Sequence, residues 1–175
     1  SGNQLAALPE SLGQLAKLHS LGLAYLEMRE LPGFLFDLTQ LKGLSLQGNK
    51  LKLIPHEIGK LCNLEYLRLF NNQLASLPDQ IGDLKELTHL YLDGNHLVEL
   101  PKSLSRLQQL EHLELGSRDG TNNLTDLPQS LSQLGKLKKL LLDQNPLNPE
   151  LASAYEQGLD AVKAYLREKA KGTRQ

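Results

Sequence analysis

A leucine pattern recurs along this chain, most often at an interval of 23 residues. Residues 64–86, LEYLRLFNNQLASLPDQIGDLKE, carry one full copy of the frame LxxLxLxxNxLxxLPxxIxxLxx. The copies share their first leucine, which is Leu18, Leu41, Leu64, Leu87, Leu110 and Leu137 in turn. The part LxxLxLxx alternates leucines with variable residues, which predicts a short strand with one buried face. One copy alone cannot bury its leucines, so the pattern predicts stacked copies.

The rest of the frame predicts how the chain leaves each strand and returns. Five copies place an asparagine after the strand: Asn49, Asn72, Asn95, Asn122 and Asn145. A side-chain amide at a turn bonds backbone groups that the turn leaves unpaired, so we expect an internal ladder of asparagines. The segment LPxxIxxL has apolar residues about three apart behind a proline, which predicts a 3₁₀ or extended return on the opposite side.

Two places near the N-terminus depart from the frame. Residues 1–17 match only the later part of a copy, so we expect the chain to begin in mid-repeat and to be part of a longer protein. In the copy from Leu18, Leu26 replaces the asparagine, and Phe34 and Phe36 occupy positions that are polar in other copies. Two interpretations stay open: local repacking near this end, or an apolar contact on the convex side for another segment or a partner.

The copy from Leu110 contains an insertion. Four extra residues separate its strand from its asparagine, and they are Arg118, Asp119, Gly120 and Thr121. Insertions in repeat arrays form loops, so we expect this one to project at the rim of the sheet. It either extends a binding surface or is tolerated surface variation.

The C-terminal segment predicts a helix that covers the last copy. Asn148 suits the N-cap and Pro149 the first helical position. One apolar face follows at helical spacing, formed by Leu151, Tyr155, Leu159, Val162 and Leu166. We therefore expect repeats over residues 1–147 and a single capping helix with a tail over residues 148–175.

The repeated frame resembles the leucine-rich repeat family over almost the whole chain. The resemblance implies an α/β fold, a right-handed solenoid with a parallel sheet on its concave face and a C-terminal capping helix. Residues 145–168, NPLNPELASAYEQGLDAVKAYLRE, also resemble the junction that precedes a Ras-like GTPase domain in Roco-type signalling proteins. The chain has no GxxxxGK[ST] phosphate loop, so the repeats themselves are not expected to bind nucleotide.

Composition limits the cell compartments and the classes of partner that we expect. The net charge is −1 and no long apolar run occurs, which argues against nucleic acid and membrane as partners. Cys62 is the single cysteine, so no internal disulfide forms and a cytoplasmic location is expected. Because Cys62 lies where the return leads into a strand, we expect a buried or half-buried structural thiol.

The residues that point outward from the predicted strands carry the functional signal. Bulky and polar ones gather on three neighbouring strands, and together we call them the concave patch: Tyr66, Arg68, Phe70, His89, Tyr91, Asp93, His112 and Glu114. Tyrosine and arginine are enriched at interface hot spots, which favours a protein partner on this face. The alternative is that aromatics occur here because they suit strands.

Chemistry on the concave patch is conceivable but disfavoured. His89 and His112 are cross-strand neighbours near Asp93 and Glu114, yet parallel neighbours point side by side, whereas zinc needs three or four converging ligands. The same carboxylates or His89 could act in acid–base catalysis, but no nucleophile motif or deep pocket accompanies them. We expect no metal, no cofactor and no enzyme activity. A different hypothesis makes the chain a structural or regulatory segment that acts in cis on a GTPase domain through the C-terminal helix and Leu141.

Overall fold

The computed structural model describes residue 15, residues 17–118 and residues 120–172, and these contain one six-stranded parallel sheet. The strands are β1 Ser20–Gly22, β2 Gly43–Ser45, β3 Tyr66–Arg68, β4 His89–Tyr91, β5 His112–Gly116 and β6 Lys139–Leu142. Their spatial order equals their order in the chain. Each begins two residues after the first leucine of its copy. The predicted repeat fold is confirmed, while the partial copy over residues 1–17 lies almost wholly outside the described residues.

Register follows from the repeat length. Leu44 pairs with Leu67 and Leu67 with Leu90, so equivalent leucines lie one above the other. These three leucines are completely buried, and the residues on either side of them in each strand point away from the core. The sheet therefore exposes one face whose side chains are set by the variable positions of the frame.

Short 3₁₀ helices form the opposite side of the solenoid, as the LPxxIxxL segment predicts. They are Gly33–Asp37, His56–Lys60, Asp79–Asp83, Lys102–Arg106 and Gln129–Gln133, each preceded by an extended proline. In the first, Phe36 is 4% exposed and belongs to the core, and Phe34 is half-buried. Local repacking therefore accounts for Phe36.

The predicted asparagine ladder is confirmed. The Asn72 Oδ1 atom accepts from the Leu51 N–H at 3.1 Å, and Asn72 Nδ2 donates to the carbonyls of Leu46 and Leu69 at 3.0 Å each. The Leu69 carbonyl also accepts from Asn95 Nδ2 at 3.0 Å, so each carbonyl is shared by the amides of two copies. Consecutive copies are thereby linked by buried hydrogen bonds.

The residue just before the asparagine position is left-handed in five copies, which the leucine pattern did not reveal. These residues are Tyr25, Gly48, Asn71, Gly94 and Gln144, with φ between 54° and 68°. A Cβ on Gly48 would lie 2.2 Å from the ring of Tyr25, and one on Gly94 would lie 2.1 Å from Asn71 Oδ1. The larger residue of one copy thus covers the glycine of the next.

The insertion lies at the rim of the sheet, but it folds back instead of projecting freely. The Ser117 N–H donates to the Gly120 carbonyl at 2.7 Å and closes a tight loop. Gly120 rests on Gly94, because an added Cβ at Gly120 would lie 2.8 Å from the Gly94 Cα atom. Arg118 remains exposed.

The single C-terminal helix of the prediction is two helices, α1 Pro149–Glu156 and α2 Leu159–Gly172. The break falls at Gly158, whose φ of 104° is incompatible with a continuing helix. The predicted N-cap is present, since Asn148 Oδ1 accepts from the Leu151 N–H at 2.9 Å. Val162 and Leu166 of α2 are buried in the core cluster, so the pair of helices covers the last repeat.

The expectation that Cys62 is buried or half-buried is wrong. Its side chain is exposed, because it lies in the turn between the buried Leu61 and Leu64, which supply the apolar contacts there. Among the helices of the described residues, none combines the length and apolarity that crossing a bilayer requires.

Candidate functional site

Three rings of the concave patch stack across neighbouring strands. The centroids of Tyr66 and His89 are 4.6 Å apart with an interplanar angle of 22°, and those of His89 and His112 are 4.4 Å apart at 20°. The three residues occupy the same position of β3, β4 and β5, and β-pairing aligns them directly. The spacing of parallel strands therefore brings the rings into face-to-face contact.

A second cross-strand pair lies beside this stack. The Arg68 guanidinium lies over the ring of Tyr91, 5.6 Å from its centroid, and Arg68 NH1 donates to Ser45 Oγ at 3.3 Å. The aromatic ring and the hydroxyl hold the arginine from opposite sides, one on β4 and one on β2. No carboxylate among the described residues forms an ion pair with Arg68.

The carboxylates on and around the concave patch, by contrast, already have partners. Glu114 Oε1 accepts from Lys139 Nζ at 2.7 Å, and Asp93 Oδ2 accepts from Ser117 Oγ at 2.9 Å. Beside the stack, Glu111 Oε2 accepts from Lys138 Nζ at 2.8 Å, and this bond lowers the pKa of the Glu111 carboxyl. The acidic side chains are thus internally neutralised or hydrogen-bonded.

Phe70 stands apart from these contacts. It lies two residues after the end of β3 and is half-buried, yet it stacks on no other ring of the described residues. Its backbone carbonyl accepts from the Gly48 N–H at 3.0 Å. The structure therefore joins five of the eight predicted residues through ring and cation–π contacts. Asp93 and Glu114 instead bond to Ser117 and Lys139, and the Phe70 side chain makes neither kind of contact with the described residues.

The environment of His89 favours its neutral form. Burial lowers the pKa of the imidazole, and the neighbouring His112 lowers it further. Thr88 Oγ1 donates its proton to the Glu65 carbonyl at 2.9 Å and lies 2.8 Å from His89 Nδ1. The hydroxyl can then only accept from the imidazole, so Nδ1 carries the proton of the neutral ring and Nε2 takes up the next one.

Sequence reasoning missed the residues that support the concave patch. Ser45 and Ser117 hold Arg68 and Asp93, and Lys139 holds Glu114. Ser45 and Lys139 occupy outward positions of their own copies, so the repeat register is the signal that could have found them. Ser117 approaches Asp93 through the insertion, for which the frame gives no register.

The geometry of the histidine pair is poorly suited to a metal. Stacked imidazoles present their faces to each other, so His89 and His112 do not aim their nitrogens at one point. Within residues 17–118 and 120–172, no three His, Cys, Asp or Glu side chains converge on a common centre.

Leu141, the residue expected to contact a GTPase domain in cis, is half-buried on β6 and pairs in register with Glu114.

The chain belongs to the leucine-rich repeat family. A family model described as a leucine-rich repeat region matches residues 52–153, and a single leucine-rich repeat model matches residues 40–61. The leucine-rich repeat fold commonly mediates protein–protein interaction, and such domains are typically non-catalytic. A search of curated proteins found no match.

Solved structures share the same architecture. A leucine-rich repeat protein of Leptospira interrogans is 40% identical, with a TM-score of 0.73 over 83% of this chain and 36% of that one. The ectodomain of the Arabidopsis thaliana receptor kinase GASSHO1/SCHENGEN3, in complex with CASPARIAN STRIP INTEGRITY FACTOR 2, is 34% identical, with a TM-score of 0.67 over 81% and 17%. The Arabidopsis receptor kinase HAESA, in complex with the peptide hormone IDA and the co-receptor SERK1, is 29% identical, with a TM-score of 0.68 over 81% and 26%. The chain thus spans about a third or less of the length of these proteins.

Proposed function

We propose that this domain is a non-catalytic interaction module that binds a partner protein on the concave patch. The observation that carries the proposal is the stack of Tyr66, His89 and His112, flanked by Arg68 on Tyr91. These side chains are fixed by one another and stand on short strands of a continuous sheet. Little conformational entropy is therefore lost when a partner docks, and large amphipathic side chains supply the contact area.

A matched pair of triple variants tests the proposal. Tyr66→Ala, Phe70→Ala and Tyr91→Ala remove aromatic area from the patch, and each is expected to weaken a partner by more than about 1 kcal/mol. Lys60→Ala, Glu86→Ala and Gln133→Ala change three exposed residues outside the strands and serve as the control. Circular dichroism checks folding, and quantitative pull-down compares recovered partners. If the patch variant recovers the same partners at the same strength as wild type, the partner does not bind on the concave patch.

A second proposal concerns a larger protein. Residues 145–168 resemble the junction of Roco-type proteins, and α1 and α2 pack on the last repeat as a firm extension of the solenoid. In that arrangement the repeats act in cis on a GTPase domain in signalling, and Leu141 and α2 provide the contact. The coding sequence beyond Gln175 decides it: a GxxxxGK[ST] motif supports the proposal, and a stop codon contradicts it.

A cytoplasmic location is proposed on separate grounds. The exposed thiol of Cys62 has no second cysteine with which to form an internal disulfide, and a reducing compartment keeps such a thiol free. Alkylation of intact cells followed by mass spectrometry tests this point. Reduced, alkylatable Cys62 is expected, whereas a mixed disulfide at this position would argue for an oxidising compartment.

A further inference from the structure

Arg68 of the concave patch has no carboxylate partner among the described residues, and this points to the chemistry of the bound segment. Glu111 and Glu114 each accept a hydrogen bond from a lysine, and Asp93 accepts one from Ser117. Arg68 faces no carboxylate among the described residues and is held by a neutral hydroxyl and an aromatic face. A partner can therefore add a carboxylate at Arg68 without displacing an existing ion pair.

Among the described residues, small side chains border Arg68 on its N-terminal side. The outward positions of β1 and β2 carry small residues, with Ser20 and Gly22 exposed and Gly43 and Ser45 half-buried. A Cβ added to Gly22 would meet nothing within 4 Å. Two strands of small side chains, about 4.8 Å apart, form a shelf on which an extended peptide backbone can lie. Tyr66 and Arg68 on the adjacent strand β3 are larger side chains that border this shelf.

The histidines add a second, conditional positive charge. Tyr66 and Arg68 of β3 and Tyr91 of β4 surround His89 on one side. On the other side lie His112 and Glu114 of β5, together with Glu111, which directly precedes β5. Both glutamates are engaged by lysines, so neither is free to form an ion pair with a protonated imidazole. An incoming carboxylate favours the charged form and raises the pKa of His89 on binding.

We propose that the partner segment is an extended acidic peptide, which lies on the shelf over β1 and β2 and places an Asp or Glu carboxylate between Arg68 and the His89–His112 stack. This inference rests on the proposed function and names the chemistry of the partner. A singly charged carboxylate matches the single charge of Arg68, the arginine of the patch that has no ion-pair partner among the described residues. Binding takes up protons, and affinity rises as the pH falls through the range of histidine titration.

A random 12-residue peptide library displayed on phage, selected on the whole domain at pH 6.0, provides the probe. Enriched peptides are expected to share an Asp or Glu. Replacing that residue by Asn or Gln, or changing Arg68→Gln, lowers the affinity about tenfold. The two changes together cost little more than either alone, because they remove the same contact. Arg106→Gln is the control, since Arg106 is exposed on a 3₁₀ helix and changes the affinity less than about twofold.

Calorimetry at pH 6.0 and pH 8.0 tests the proton linkage. The acidic peptide binds several-fold more tightly at pH 6.0, and a His89→Gln, His112→Gln variant loses most of that ratio. Enriched peptides that lack acidic residues, acidic peptides that bind Arg68→Gln as tightly as wild type, or a single-stranded oligonucleotide that displaces them would overturn the inference. So would a library without any enriched peptide. The aromatic triple variant tests the proposed function separately. If a partner is lost with that variant but still binds the Arg68→Gln variant, the concave patch remains the binding site and only the proposal of an acidic peptide is wrong.

Discussion

The imidazole ring of His89 stacks on that of His112 with centroids 4.4 Å apart. The contact joins β4 to β5 and continues through Tyr66 to β3, so three strands share one column of rings. Protonating one imidazole of a stacked pair opposes protonation of the other. Burial and the neighbouring His112 therefore disfavour the charged form of His89 and lower its pKa.

Acid should destabilise the domain through His89. Burial, and then the neighbouring His112, hold the pKa of His89 below its ordinary value of about 6.5. The unfolded chain binds this proton first, so stability is lost as pH falls through the unfolded pKa. Urea unfolding of wild type and His89→Gln at pH 5.5 and pH 7.5 measures the effect. The destabilisation of the variant relative to wild type should be smaller at pH 5.5 than at pH 7.5. The difference should be well under about 1 kcal/mol, because the ring is only half-buried. An equal difference at both pH values contradicts this prediction.

The asparagine ladder should dominate the polar contribution to stability. Asn72→Ala leaves the Leu51 N–H without an acceptor in the core, which costs about 2 kcal/mol. The loss is limited because Asn49 and Asn95 still bond the carbonyls of Leu46 and Leu69. Asn123→Ala, at an exposed position, is the control and should stay within about 0.5 kcal/mol of wild type in the same urea titration. Equal effects of the two substitutions would show that the asparagine ladder does not dominate the polar contribution to stability.

Gly94 should be costly to replace. Its φ is 65°, and an added Cβ would lie 2.1 Å from Asn71 Oδ1, while Gly120 of the insertion packs on the Gly94 backbone. Gly94→Ala should therefore destabilise by about 2 kcal/mol or more and disturb the insertion. At Gly135 a Cβ meets nothing within 4 Å, so Gly135→Ala should be neutral within about 0.5 kcal/mol. Thermal unfolding followed by circular dichroism distinguishes the two, and a neutral Gly94→Ala contradicts the packing.

The capping helices should stabilise β6 through one hydroxyl. Tyr155 Oη accepts from the Leu142 N–H at 3.0 Å, which satisfies a backbone donor of the last strand. Tyr155→Phe should cost about 1 kcal/mol in urea unfolding and raise the amide exchange rate of Leu142. Tyr25→Phe, at an exposed tyrosine, should change neither quantity. An unchanged exchange rate in Tyr155→Phe would show that the hydroxyl does not hold β6.

The sequence predicts the parts of this molecule that repeat. Leu44, Leu67 and Leu90 are fully buried in register because the interval between their copies is constant. The alignment of Tyr66 with His89 follows from the same interval. The helix break at Gly158 was missed because Leu151 to Leu166 keep an apolar face across it, although a glycine with positive φ ends the first helix. Periodicity reports burial and is insensitive to a local change of backbone direction.

The features that the constant repeat length does not determine were harder to predict. The contact of Ser117 with Asp93 depends on how the insertion folds, and the frame assigns no register there. The exposure of Cys62 was misjudged because the turn between Leu61 and Leu64 points its side chain outward. The absence of an ion pair at Arg68 among the described residues could be recognised only from the distances in the structure. In the sequence, charged residues on neighbouring strands look equally able to pair with one another.

The five histidines offer the most direct test of where the partner binds. His89 and His112 lie on the concave patch, whereas His56 and His96 are exposed outside the strands. Proton–carbon spectra of the imidazole Cε1–H groups, recorded with and without a partner or a selected peptide, report on all of them at once. If the partner binds on the concave patch, the His89 and His112 signals shift on binding and those of His56 and His96 do not. Shifts confined to His56 or His96 would contradict binding on the concave patch.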